Sequence, residues 1–522
     1  MRPLQLAFAA SLLVIAQAAR GEVSLNNMFG DHMVLQQGIK NRIWGKAQPG
    51  EAVTVTLSGQ KPQAAVAAAD GGWEVFLDPV QEYGGPHTLT VKGTNEITFQ
   101  DVLVGEVWIC SGQSNMQWAV NQSNDADIEK AAATFPNIRL ISVPQVGTQD
   151  PKWNFEGRWS VCSPATVGDF SAVGYFFGRQ LHQTLGVPIG LIDNAWGGSA
   201  AEAWVKRDKL AAHPRLAAIH EKWVKEEANL ENATAEFVKK MEDWKAAAAK
   251  ARAEGRPEPG KKPQGPDQRM KGNARPGNIH SGVLTPSIGY GIKGAIWYQG
   301  ESNAGRAYQY RELFPFMIKT WREEWGLGDF PFYWVQLADF KQEKVEPGES
   351  DWAELREAQT MTMKALPNTG EAVIINLGEG KDIHPMNKQD VAKRLARWAL
   401  AETYKVPTIA CRSPLYKGME KDGDRIVLAF DHVPGEGRGW RPFDVNEPIG
   451  FTIAGADRRF VAAKAKIRDD GRIEIWSDAV TDPVAVRYAW ADNPVCNMYA
   501  TSGLPLTPFR TDDFPGVTAE AK

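Results

Sequence analysis

Cysteine is scarce in this 522-residue chain: four residues, Cys110, Cys162, Cys411 and Cys496, none of them in a CxxC pair. That excludes a disulfide framework and a thioredoxin-like redox motif. One bridge remains open, and buried free thiols acting as small apolar side chains are the favoured reading. Excess positive charge is also missing. Lys and Arg number 59 against 63 Asp and Glu, for a net charge of −4, so the basic face that nucleic acid or an anionic membrane selects is not expected. There is no HExxH, no metal-spaced Cys/His cluster and no Walker loop, and neither a metal nor a cofactor is predicted. The letters GYGIKG, 289 to 294, match a dinucleotide fingerprint, but they precede a strand instead of opening a helix, so the fingerprint fails its structural test. Histidine is rare too, with eight residues, which limits what can serve as a base.

Long apolar runs are confined to the N-terminus. Arg2 precedes an apolar stretch from Leu4 to Ile15, and Ala16-Gln17-Ala18 follows as an A-x-A cleavage site. Residues 1–20 therefore read as a secretory signal peptide, with an uncleaved anchor as the rival, and the expected location is periplasmic or secreted. No later segment approaches 18 consecutive apolar residues, so no membrane contact is expected after cleavage. What is present is globular: 43% hydrophobic and 23% charged residues exclude a disordered chain. Nineteen tryptophans read mostly as core, though exposed ones suit stacking on sugar rings. The sequons at Asn121 and Asn232 carry no information without a host.

The length suits about three or four domains. Residues 21–103 alternate apolar and polar positions between Gly, Pro and Asp turns, as in AVTVTLSG, GWEVFLD and HTLTVKG, which predicts a small antiparallel β domain. From there the pattern becomes fully apolar segments separated by helical stretches: VLVGEVWIC, PIGLIDNAWGG, KGAIWYQGE, FPFYWVQLA and EAVIINLGEG. That predicts an α/β core over 104–405, with a parallel sheet covered on both faces and its site at the strand carboxyl ends. Within it, 206–275 is rich in Lys, Glu and Ala. Leu216, Trp223, Leu230, Phe237 and Trp244 recur every seven residues, with Ile219 and Met241 filling in, which predicts a helical insertion with one buried stripe. A Pro/Gly/Lys-rich linker, EGRPEPGKKPQGPDQ, follows. Alternation returns in DRIVLAF, GFTIAG, GRIEIWS and AVRYAW, giving a C-terminal β module over 406–522.

The stretch WICSGQSNMQWAV ends an apolar run at Cys110 and then offers one hydroxyl, Ser114, beside Gly112, Gln113 and Asn115. It is either an ordinary polar turn or a nucleophile at a strand end. A serine needs a base to become a nucleophile. His213 and His220 lie in the charged insertion, His32, His87 and His432 in the β regions, His182 within a helix and His280 in a loop. His384 remains. It follows the apolar AVIINLG and precedes a helix that Asn387 can cap, with Asp390 three residues on. The positive end of that helix disfavours imidazolium and keeps the ring able to accept a proton. Asp382 is near enough in sequence to orient it. Gly197 and Gly198, after PIGLID, can bring a backbone N–H close to a developing oxyanion, and WYQGESN ends another strand with Gln299, Glu301 and Asn303. Four strand ends carrying such groups favour a hydrolase site over four ordinary turns.

In order, GQSNM, WGGSAAEAW, WYQGESN and DIHPMNKQDVAKRLA resemble the blocks of the SGNH hydrolase superfamily. Within it the chain resembles the sialate O-acetylesterase family, near the acetylxylan esterases, and the likeness extends to NPVCNMYATSGLPLTPFRTDD at the C-terminus. The resemblance implies an SGNH-type, flavodoxin-like parallel sheet, with Ser114 as nucleophile and His384 as base. It implies an oxyanion hole from the amides of Ser114 and Gly198, or Gly197, and a third donor from the QGESN segment, for which Gln299 is favoured and Asn303 is the alternative. The chain departs from the superfamily in two places, the orienting acid and the oxyanion Asn, which in the superfamily comes just after a strand where this chain has Gln299, Glu301 and only later Asn303. Lys381 stands three residues before the histidine, where an Asp is common, so Asp382 is the candidate orienting group, with Glu301 or a backbone carbonyl as the alternative in its stead. Residue 116 is Met, unlike the G-x-S-x-G elbow of α/β-hydrolases. The implied activity is removal of O-acetyl groups from a carbohydrate, foremost O-acetylated sialic acid, with acetylxylan or another polysaccharide as the alternative substrate. Arg306 and Arg179 are the candidate partners for a sialate carboxylate. A non-catalytic glycan-binding protein is the rival of another class.

Overall fold

The computed structural model describes residues 22–521; the expected signal peptide, 1–20, lies outside them. The molecule is a mixed α/β protein built around one long strand, Glu96–Gly112. The first six residues of that strand alternate exposed and half-buried positions, as a sheet with one wet face requires, and Val102 onward is buried on both faces. The first part pairs antiparallel with Gly84–Lys92, which pairs with Ala52–Leu57. Val34–Gln36 joins in parallel at Leu103 to Gly105. A second small antiparallel sheet, Ser24–Leu25 with Arg42–Lys46 and Gly72–Phe76, completes this N-terminal β region. Position 103 lies inside the long strand, so the sheet runs from this region into the core without a linker.

The second part of the long strand is the centre of the core sheet. The order is Ser160–Cys162, Phe135–Ser142, Ile189–Asp193, Glu96–Gly112, Gly294–Tyr298, Phe332–Val335 and Thr369–Ala372. All neighbours are parallel except the Ser160–Cys162 edge. Successive side chains of the central strand enter opposite cores. Val107 and Ile109 pack with the helices Ala307–Trp325 and Asp351–Ala365, while Trp108 and Cys110 pack with Ala172–Leu185 and Lys388–Trp398. Each such apolar side chain contributes about 1.5–3 kcal/mol on burial. Six tryptophans, Trp108, Trp204, Trp297, Trp321, Trp334 and Trp398, are fully buried in these layers. The four thiols are unpaired, three of them buried and Cys496 partly so.

Two core strands escape the sequence pattern. Phe135–Ser142 carries Pro136, Asn137 and Arg139, which interrupt its apolar run. Arg139 is nonetheless buried, because both its terminal nitrogens reach the Asp101 carboxylate, at 2.7 and 3.2 Å. The strand expected through AVIINLG ends at Ala372. Val373 and Ile375 then turn into the core of the C-terminal sheets, while Ile374 stays in the α/β core. The insertion is not one continuous helix. It comprises Arg207–Ala212, Ala217–Ala228, Leu230–Ala253 and Pro266–Met270. Its stripe is buried only at Leu216, Ile219 and Trp223, and Leu230, Phe237, Met241 and Trp244 are half-buried. Beyond residue 406 two four-stranded antiparallel sheets share a third core.

Candidate active site

The central strand has Ile189–Asp193 on one side and Gly294–Tyr298, further along the chain, on the other. Connections leave in opposite directions here, so a crevice opens beyond the carboxyl end of Glu96–Gly112. Ser114 sits there, partly exposed, at the start of the short helix Ser114–Gln117. The turn leading to it requires glycine: Gly112 has φ +136°, and a Cβ on it would stand 2.2 Å from the Tyr298 carbonyl oxygen. The three strand ends are stitched together there by backbone bonds. Gln113 N–H donates to Tyr298 O at 2.9 Å, Trp196 N–H to Gly112 O at 3.0 Å, and Asn194 N–H to Cys110 O at 3.2 Å.

His384 arrives from the loop after the last core strand. Asn387 caps the following helix, accepting from Asp390 N–H at 3.1 Å. The imidazole Nε2 lies 2.8 Å from Ser114 Oγ, although 270 positions separate the residues. Its other nitrogen, Nδ1, is 3.4 Å from Asp382 Oδ1, which also accepts the His384 backbone N–H at 2.9 Å. Trp118 covers the ring face, stacked at 4.8 Å and 12°. Burial holds the imidazole below its ordinary pKa. The Asp382 charge opposes that shift and the Lys388 charge adds to it. The ring is therefore neutral at neutral pH and can accept the serine proton.

Glu301 takes a different place from the one considered for it as orienting acid. Its Oε1 accepts from Asn115 Nδ2 at 2.6 Å. The same amide nitrogen donates to Ile383 O at 2.9 Å, and its Oδ1 accepts from Lys388 Nζ at 2.6 Å. Asn115 thus bridges a buried ammonium and a buried carboxylate while tying down the backbone next to His384. Burial lowers the Lys388 pKa and raises that of Glu301. Lys388 also lies over the rings of Trp118 and Tyr298, at 5.8 and 5.3 Å. Sequence reading missed Trp118, Asn115 and Lys388 as parts of the site. Two of them stand inside the quoted blocks, which was the available signal.

Donors around Ser114 divide into committed and free. Gly198, at φ +72°, is exposed and its N–H has no acceptor among the described residues. Gly197 N–H is taken by Gln117 Oε1 at 2.7 Å, and a Cβ on Gly197 would stand 3.3 Å from Ser114 Cβ, so this turn lies against the serine. The expectation for Gln299 requires correction. Its side chain is fully buried and its Nε2 is spent on Ser199 O at 3.1 Å and Asn303 Oδ1 at 2.7 Å, while its Oε1 accepts from Tyr310 OH at 2.9 Å. It is a brace between strand ends, with no N–H left for an oxyanion. Asn303, 1% exposed, is similarly engaged: its Nδ2 donates to Glu202 at 3.0 Å and its Oδ1 accepts from Ala201 N–H at 3.0 Å. Neither arginine considered for a carboxylate is a free cation, since Arg306 pairs with Glu202 and Arg179 with Glu129. Among the described residues no group of three or more His, Cys, Asp and Glu is placed to hold a metal ion, and no helix is long and apolar enough to cross a membrane.

The arrangement resembles known proteins along most of its length. Residues 283–400 match the family described as "Carbohydrate esterase, sialic acid-specific acetylesterase". The sialate O-acetylesterase of Mus musculus is 30% identical, over 96% of this chain and 97% of that protein. That of Homo sapiens is 28% identical, over 91% of this chain and 90% of that protein. Among solved structures, a carbohydrate acetylesterase from Xanthomonas citri is similar at 37% identity and a TM-score of 0.78, covering 94% of this chain and all of that one.

Proposed function

The chain belongs to the sialate O-acetylesterase family, and on that premise we propose that Ser114 and His384 perform the ester hydrolysis. The protein is a carboxylic ester hydrolase that removes O-acetyl groups from sialic acid or other sugars. One observation carries the assignment of chemistry: the 2.8 Å contact between Ser114 Oγ and His384 Nε2. Ser114 Oγ attacks the acetyl carbonyl carbon as its proton passes to His384 Nε2. The oxygen that becomes negative is held by the backbone N–H groups of Ser114 and Gly198, and loss of one such donor costs about 10²- to 10³-fold in turnover. The tetrahedral intermediate collapses, the C–O bond to the sugar breaks, and the leaving oxygen takes the proton from Nε2. Water then attacks the acetyl-serine with His384 again as base, releasing acetate and restoring the hydroxyl. Asp382 orients the imidazole from Nδ1, with the Asn115–Lys388–Glu301 network holding the loop on which the imidazole stands.

O-acetylated sialic acid is the proposed substrate, and acetylated xylan is the competing one. The order of the four sequence blocks supports placing the core in the SGNH superfamily. We divide the chain at about 103 and 405 into an N-terminal β unit, the core with its insertion over 206–275, and a C-terminal β unit. Residues 1–20 support export to the periplasm or beyond. The test is acetate release from O-acetylated sialic acid and from acetylated xylan, side by side, for the wild type and Ser114→Ala. The account expects sialate to be preferred and the variant to be inactive on both. Near-normal release by the variant refutes the mechanism, and a preference for xylan refutes the substrate.

A further inference from the structure

We propose that the crevice between the helical insertion and the Trp196–Gly198 turn is a second sugar-binding subsite, which holds the glycan residues linked to the acetylated sugar. The proposal rests on the esterase reading of Ser114, because it assigns the space next to that site. The insertion then has a task in catalysis: it makes the protein an esterase of oligosaccharides and longer glycans in preference to free monosaccharides.

Trp196 lines the crevice and its backbone N–H is bonded to Gly112 O, two residues before Ser114. Asn273 lines it as well, and its Nδ2 donates to Gly197 O at 2.5 Å. One wall of the crevice is thus continuous with the turn that flanks the serine. A sugar whose acetyl ester lies at Ser114 Oγ has its remaining linkage directed toward this wall or toward solvent.

The crevice measures about 770 Å³, within the range of sites that bury a sizeable ligand and far more than an acetyl group occupies. Half-buried Trp196 and Phe237 supply aromatic rings, against which the C–H face of a pyranose stacks, while the amides of Gln264, Gln268 and Asn273 are donors and acceptors for its hydroxyls. The charges are uneven. Arg269 is locked to Glu226 by bonds of 2.8 and 2.9 Å, and Lys240 lies 3.3 Å from Glu236, but Lys271 pairs with no carboxylate among the described residues. An unpaired ammonium favours a neutral or anionic glycan over a cationic one.

The packing of the insertion supports the same use. A stripe evolved only to cover the core would be buried along its length, yet between buried Trp223 and buried Ala248 and Ala251 the residues Leu230, Phe237, Met241 and Trp244 are only half-buried. Beyond Trp223, the long helix Leu230–Ala253 is covered by its own return segment: Trp244 Nε1 donates to Pro259 O at 2.9 Å, and Gly265 lies against the Phe237 ring. The helix and its return segment together line the crevice wall opposite Trp196.

Phe237→Ala and Lys271→Ala in the full chain test this, since neither residue belongs to the catalytic machinery. Each is assayed on p-nitrophenyl acetate and on two matched pairs, O-acetylated sialic acid with O-acetylated sialyllactose, and acetylated xylose with acetylated xylohexaose. The better-cleaved pair is used. The wild type should favour the oligosaccharide by about tenfold or more in kcat/KM. Each variant should lose most of that preference through KM, while p-nitrophenyl acetate hydrolysis stays within about twofold. The subsite is overturned if the wild type shows no preference, if both variants keep it, or if p-nitrophenyl acetate hydrolysis falls in parallel. Failure of the underlying esterase reading is separate: it would appear as p-nitrophenyl acetate turnover surviving in Ser114→Ala.

Discussion

Replacing Gln299 with leucine distinguishes a structural brace from a catalytic donor. The side chain is completely buried and makes three hydrogen bonds, to Ser199 O, Asn303 Oδ1 and Tyr310 OH. Leucine fills similar volume and makes none. Asn303 Oδ1 keeps its bond from Ala201 N–H, so the groups left short are the Ser199 carbonyl and the Tyr310 hydroxyl. At about 1–3 kcal/mol for each buried polar group deprived of a partner, the cost is roughly 2–6 kcal/mol. In a chain of this length each kcal/mol moves Tm by about 2 °C or less, so the expected fall is on the order of 5 °C. Below the transition, kcat on p-nitrophenyl acetate should drop by less than about tenfold, since the backbone donors at Ser114 and Gly198 remain. Thermal melts followed by circular dichroism, paired with initial rates at 20 °C, measure both quantities. An unchanged Tm with a loss of about 10²- to 10³-fold in kcat would mean that the Gln299 amide does reach the reacting oxygen, and would refute the reasoning.

Four further outcomes follow from the same geometry. The acid limb of kcat/KM against pH should report a single imidazole titrating below the ordinary histidine value, because burial favours neutral His384; a limb above that value contradicts the assignment. Asp382 is half-exposed and raises the His384 pKa, so Asp382→Asn should move the limb to lower pH and cost about 10- to 100-fold, well short of the roughly 10⁴-fold seen when a buried triad acid is lost. Lys388→Met should move the limb the opposite way, since the Lys388 charge lowers the imidazole. It should also destabilise the fold by about 3–5 kcal/mol by leaving Glu301 buried without its cation, with Lys388→Met/Glu301→Gln recovering part of the loss in a urea titration. Gly112→Ala, with its Cβ placed 2.2 Å from Tyr298 O and at φ +136°, should yield a protein without activity; a normal rate would show that the turn is less constrained than described.

Much of the site was legible because the core strands are short and apolar on both faces, so each ends visibly in a cluster of small and polar residues. Ser114 and His384 follow from that logic, since both stand just past such a run and few other histidines do. The strand Phe135–Ser142 was hidden by Arg139, whose burial depends on Asp101, a partner 38 positions away. Val373 and Ile375 look like strand residues because they are buried, but the core they enter belongs to the C-terminal sheets. Residue type showed that an amide stood at Gln299 and not which way it faced. The Lys388–Asn115–Glu301 bridge left no periodic trace, because its members lie on three segments and only the folded turn brings them together. The seven-residue stripe of the insertion was real as a pattern, yet a pattern does not state what covers it, and its second half faces a crevice and its own return segment.

The account depends on a serine activated by one histidine far away in the chain. A fluorophosphonate probe followed by peptide mass spectrometry tests that directly. Stoichiometric labelling at Ser114 in the wild type, with labelling lost in His384→Ala although the variant remains folded, is the predicted result. Labelling at another residue, or full labelling of Ser114 without the imidazole, would contradict it.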